Sequence, residues 1–328
     1  MSLPITKSQR SALVLALALS ACGRLLAVSC TTQSQMSEAD RSALVQVAKN
    51  LDAAIQTNNA TTLKGLTVAA EFEGISSTAT RISPLITGST LTIDALYGLD
   101  ASDLKTAAED TQFFCGVPGG TLHVDFTIPQ LPPGKYALAI VHATGVKDPQ
   151  QMAFLLQKNG EWQLAGLFVK PLLMAGHDSL WYWTKARAYA QKGEKWNAYF
   201  YYTVAAYLAT PADFLTSTNL DKLDQETTGA RPAGLPGAQP MALGGNGNTF
   251  SVSDLHADGS LGGLDLVIRY AAADASDPVA TRSRNLEVMK AMLQAHPELR
   301  DAFHGLWVYA DAPNQRPFGN EVAMSEIR

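Results

Sequence analysis

The chain has 328 residues, 25 of them Lys or Arg and 30 Asp or Glu, with a formal net charge of −5 and 46% hydrophobic residues. That is material for about two domains with sizeable cores. The acidic balance argues against nucleic acid as a general partner and against electrostatic adhesion to anionic lipid.

Lys7 and Arg10 precede the apolar run Ala12–Leu19, and the first acidic residue is Glu38. A short basic segment followed by about ten apolar residues has the pattern of an export signal and is too short to span a bilayer. The run ends in Leu19-Ser20-Ala21-Cys22, which resembles the lipobox of bacterial lipoprotein signal peptides. The resemblance implies cleavage before Cys22 and a diacylglycerol on its sulfur. It also implies a mature chain in the cell envelope, lipid-anchored at the outer membrane or the periplasmic face. Ala27-Val28-Ser29-Cys30 also sets small residues before a cysteine, but it would place Arg24 inside the apolar segment, where a cation is costly. Residues 1–21 are expected to be the signal and 22–36 a tether. Cys30 then reads as an ordinary tether residue, and Cys115 as a small buried apolar one, with no disulfide framework.

Ser37 with Glu38 and Asp40 forms a helix-capping pattern, and Leu44, Val47, Leu51 and Ile55 follow at helical spacing. Asn58-Asn59 ends that helix, and a shorter one is expected over Thr62–Ala70. A strand-rich region follows: "STLTIDALYG", "TLHVDFTI", "KYALAIVHATG" and "QMAFLLQK". "EWQLAGLFVKP" comes after the hairpin turn signal Asn159-Gly160. Helices followed by a strand meander predict an α+β domain with an antiparallel sheet over residues 37–173. This order resembles the NTF2-like (cystatin-like cone) superfamily over about Ser37–Pro171, most closely in "LLQKNGEWQLAGLFVKP". The resemblance implies a cone-shaped space under the helices. It does not set an activity, because members include enzymes, small-molecule binders and assembly modules. His142 shares a strand face with Tyr136, while His123 and Asp125 alternate with Val124 on the preceding strand. These four are the candidate polar groups of a cone pocket, His142 as general base or ligand.

A helical hairpin is expected within residues 174–225. Ala186, Tyr189, Gly193, Ala198, Tyr202 and Ala205 fall where a tetratricopeptide repeat, which the hairpin resembles, places its small and aromatic packing residues. A solitary unit must bury its faces on the rest of the chain or on a partner. Residues 226–249 are rich in Gly and Pro and read as a linker. Residues 250–328 predict a ββαββ layer, whose helix is capped by Asp277 with Pro278 just inside.

Asp254-Leu255-His256-Ala257-Asp258-Gly259, with Asp265 beyond, resembles the opening of an EF-hand calcium loop. The candidate metal ligands are Asp254, His256, Asp258 and Asp265. Against them stand a histidine where oxygen is preferred, an Asp for the usual bidentate Glu, and flanks that read as strands. The sequence holds no G-x-S-x-G, P-loop, dinucleotide fingerprint or C-x-x-C, so no catalytic residue is assigned and no cofactor is expected. The expected function is that of a lipid-anchored, non-enzymatic binding or assembly module in the cell envelope, with a protein partner and no nucleic acid. The alternative is a small-molecule binder or hydrolase using the cone. An apolar-filled cone would fit the first reading and an open polar pocket the second.

Overall fold

Ser37 opens the first helix by accepting the Asp40 amide on its hydroxyl, one of the donors that a first turn leaves free. The computed structural model describes residues 28–116, 120–245 and 247–328. Three helices come early: α1 (Glu38–Gln56), α2 (Ala60–Gly65) and α3 (Phe72–Ile86). The sequence reading did not foresee α3. Its buried stripe of Ile75, Ala79, Ile82 and Ile86 sits among serines and threonines and beside Pro84, all weak helix formers.

The first sheet has the order β1-β2-β5-β6-β7, antiparallel throughout. Its strands are β1 (Ser29–Thr32), β2 (Thr90–Asp100), β5 (Lys135–Thr144), β6 (Gln150–Asn159) and β7 (Glu161–Pro171). Alternation along β5 sorts its two faces. Ala137, Ala139, Val141 and Ala143 meet Leu44, Leu51, Ile55, Ile82 and Ile86 of the helices. Tyr136, Leu138 and Ile140 point the other way, into a core closed by a small sheet. That sheet, of order β3-β4-β8, consists of β3 (Asp110–Gly116), β4 (His123–Pro129) and β8 (Leu215–Ser217).

The expected tether is corrected here. Ser29–Thr32 pairs with Tyr97–Asp100 as an edge strand, and Cys30 is bonded to Cys115 of β3 across a sequence separation of 85, with Cα atoms 5.2 Å apart. Cys30 is therefore not a free tether residue and Cys115 not a lone packing residue. β1 is only four residues long and mostly polar, so no periodicity marks it.

The second half contains α4 (Ser179–Gln191), α5 (Lys195–Ala209) and α6 (Thr218–Ala230). Its sheet has the order β13-β12-β11-β10-β9. The strands are β9 (Met241–Gly245), β10 (Asn248–Asp258), β11 (Asp265–Ala271), β12 (Gly305–Asp311) and β13 (Phe318–Ala323). Helix α7 (Pro278–Ala295) makes the crossover between β11 and β12, which run parallel, as such a connection requires. Asp277 caps α7 by accepting the Val279 and Ala280 amides. Leu266, Ile268, Tyr270, Leu306, Val308 and Ala310 form one core with α7 and the aromatic residues of α4 and α5. The region expected as a linker is partly structured: α6 runs through Ala230, and β9 makes the C-terminal unit β-β-β-α-β-β. Seven helices and thirteen strands in three sheets, among the described residues, make an α+β protein.

Candidate functional site

Directly opposed residues of neighbouring strands share a sheet face. Val267 lies opposite Trp307 and Arg269 opposite Tyr309. Trp307 lies opposite Glu321, and Asp254, His256 and Asp258 lie opposite Arg269, Val267 and Asp265. All of these point away from the helices; Val267 and Asp265 are buried there, His256 is exposed, and Asp254, Asp258, Arg269, Trp307, Tyr309 and Glu321 are half-buried. The C-terminal sheet therefore presents one face to its packing helices and leaves the other partly open to solvent.

An aromatic pair lies at the centre of that face. The Trp307 and Tyr309 rings are 5.1 Å apart at 32°. The Arg269 guanidinium lies 5.0 Å from the Tyr309 ring centroid and donates two hydrogen bonds to Asp311, at 3.1 and 2.6 Å. Gly319 lies beneath Tyr309, where any Cβ would collide with the ring.

At one end of the face three titratable side chains meet. Asp265 is 1% exposed. Its Oδ1 lies 3.1 Å from His304 Nδ1, while its Oδ2 is buried without a hydrogen-bond partner. Glu321 Oε1 is 3.8 Å from the same nitrogen and is likewise buried and unpartnered. Burial first, and then the neighbouring Asp265 charge, lift the Glu321 carboxyl above the usual range, against the pull of His304. The backbone fixes this corner: the His304 amide donates to Leu264 O, and the Met324 amide donates to His304 O. His304 and Glu321 were missed by sequence reasoning. Three residues spread from 265 to 321 have no ligand spacing to notice.

The calcium-loop candidates Asp254, His256, Asp258 and Asp265 are not brought around one point. The first three lie along β10, where alternate backbone positions are roughly 6.8 Å apart. His256 Nδ1 pairs with Asp254 at 2.7 Å, and Asp258 accepts the Ser260 amide at 2.8 Å. Only Asp265 joins the cluster.

The four cone candidates do not come together either. Tyr136 is buried facing the small sheet, its hydroxyl donating to Pro132 O at 2.9 Å, and His142 is on that same face of β5. His123 and Asp125, 3.4 Å apart, alternate with Val124 and Phe126, which pack toward the first sheet; the pair thus points outward. His123 Nδ1 lies 3.0 Å from Thr218 Oγ1, and the residue borders an open cleft of about 490 Å³ with Arg41, Tyr97 and Cys115. The space under α1–α3 is filled by apolar side chains. Cys22 lies outside the described residues. The chain matches no family model, no curated protein and no solved structure.

Proposed function

We propose that the chain is a lipid-anchored protein of the bacterial cell envelope that acts without catalysis, binding a protein partner on the open face of its C-terminal sheet. The observation that carries this reading is the face itself, an aromatic pair beside a row of carboxylates that no core absorbs. Asp254, Asp258, Asp311 and Glu321 outnumber Arg269, so the complementary ligand is an extended basic stretch of polypeptide. Its cations would meet both the carboxylates and the rings of Trp307 and Tyr309. The NTF2-like reading of the first unit accords with helices laid on an antiparallel sheet, and its apolar filling favours assembly over a small-molecule site.

The envelope address draws support from the disulfide, since such bonds persist in oxidising compartments. The chain has three cysteines. With Cys30 and Cys115 paired, Cys22 is the remaining thiol, which favours it as the acylated residue. No helix among the described residues is long and apolar enough to cross a membrane. Two acyl chains hold a protein at a bilayer where one does so only marginally.

Capture from detergent-solubilised membranes tests the partner. The wild type should retain one stoichiometric protein that high salt releases, and Trp307→Ala should lose it while melting normally. Absence of such a partner, or retention by Trp307→Ala, would refute the assignment of the face. Labelled fatty acid should enter the wild type and Cys30→Ser but not Cys22→Ser; labelling that survives Cys22→Ser would remove the anchor assignment.

A further inference from the structure

We propose that Asp265, His304 and Glu321 bind one divalent transition-metal ion of the zinc type. The ligand atoms of the three lie within 4.8 Å of one another. A metal holding its ligands at about 2.1 Å sets them about 3.0 Å apart at right angles and about 3.4 Å apart in a tetrahedron. The 3.1 and 3.8 Å separations around His304 Nδ1 need only a small inward shift to reach that arrangement.

Proximity of acids alone would not point to a metal, since carboxylates gather on many surfaces. The decisive feature is the buried, unpartnered Asp265 Oδ2 at a residue 1% exposed. An ionised carboxylate buried without its full set of donors is costly unless a cation compensates it. Among the described residues no Lys or Arg forms an ion pair with Asp265 or Glu321; His304 is the only basic group within reach.

Space is kept for the cluster on both sides. A Cβ at Gly263 would strike the His304 ring. One at Gly305 would strike Glu321 Oε1 and lie 3.1 Å from Asp265 Oδ1. The His304 side chain is 55% exposed, so the cluster opens to solvent on one side, and a bound ion would keep a position for water or a further ligand, the arrangement of three protein ligands and one open site. An imidazole nitrogen in a set of three favours zinc-like ions over calcium and magnesium, which take oxygen ligands. This inference does not rest on the protein-partner reading, and its test involves no partner.

The test uses the detergent-solubilised full chain, free of any histidine tag and stripped with chelator. Calorimetric titration with zinc chloride should show one saturable equivalent. The melting temperature should rise with zinc concentration, as linkage requires for a ligand of the folded state. Calcium and magnesium chloride at equal concentrations should do neither. His304→Ala and Glu321→Gln should each weaken zinc binding by at least the ~10–100-fold that loss of an outer-shell partner costs. His256→Ala, which removes the exposed imidazole on the same face, should leave binding unchanged. Cobalt(II) should give a visible absorption band that His304→Ala abolishes. Failure to take up zinc saturably would overturn the proposal. So would binding that survives both His304→Ala and Glu321→Gln. If Glu321→Gln stabilises the protein and zinc has no effect, the cluster is a pair of carboxyls sharing a proton, and the proposal again fails.

Discussion

Glu226 is a carboxylate held well below its ordinary range by donors on α4. Arg187 donates to both of its oxygens, at 2.8 and 2.7 Å, and the Trp183 indole adds a third bond at 2.8 Å. The hydrogen bonds from Arg187 lead in holding its carboxyl down to about 2, from an ordinary 4.5, with burial opposing. A carboxylate with a depressed folded-state pKa contributes stability that is present above the unfolded value and lost as pH falls through the folded one. Its window is therefore pH 4.5 down to about 2. The Arg187 side chain is 43% exposed and that of Glu226 24%, so solvent screening limits the effect to about 1 kcal/mol. Glu226→Gln should be slightly less stable than wild type at pH 7, and urea midpoints should show the gap closing toward pH 2.5. A gap that stays constant across that range would mean that ionisation of Glu226 does not contribute. Tyr202 was legible in the sequence as one of the hairpin's aromatic packing positions. That one carboxylate from α6 would gather Trp183 and Arg187 was not, because the contact spans about forty positions and has no local signal.

At the scale of the element, β9 lies against α7 through a missing side chain. A Cβ on Gly245 would come within 2.5 Å of the Ala291 Cβ and 3.4 Å of its Cα, and a helix backbone cannot move aside as a side-chain tip can. Gly245→Ala should therefore destabilise by about 1–3 kcal/mol, the usual range for overpacking. It should also loosen β9 selectively, seen as faster amide exchange at Leu243 and Gly244 than in β11. Unchanged exchange and stability would show that β9 is not seated on α7. This glycine explains why the stretch read as a linker: composition cannot tell a residue chosen for flexibility from one chosen for close approach. Where a signal rests on local backbone chemistry, the sequence reading located the element. Asn159-Gly160 turns β6 into β7 with Gly160 at φ 78°, and Asp277-Pro278 starts α7. Of the elements that escaped, α3 is built of weak helix formers, while β1 is held by Cys115 and β2, and β8 by β4. The candidate site divides in the same way. The strands that carry it were expected within the ββαββ layer, while the meeting of Asp265, His304 and Glu321 follows from a parallel register that only the folded crossover creates.

At the scale of the whole molecule, the two halves are sewn together. After α5 the chain returns to the first half as β8, setting Ala212 and Leu215 into its core, and α6 then carries it back to the second, where Leu223 is buried. Lys170 reaches Asp213 at 2.7 Å, and the Gln151 amide donates to Leu208 O at 2.5 Å. The helical hairpin thus packs on its own chain, mainly through α5, as a solitary hairpin must on its chain or on a partner.

The Cys30–Cys115 bond then takes on a mechanical meaning. Tension entering from the N-terminus reaches Cys30 within the first described strand. There it passes through sulfur into β3 and bypasses β2 and all three early helices. In a single-molecule extension experiment, the oxidised chain should be shorter at full stretch by about 300 Å, since the 85-residue separation would otherwise pay out at about 3.6 Å per residue. Reductant should restore that length, and equal lengths in both states would mean that the bond had not formed. Were the chain anchored at Cys22 as proposed, a tug from that end would be shunted past α1–α3, leaving the helix-covered side of the first sheet out of the load path.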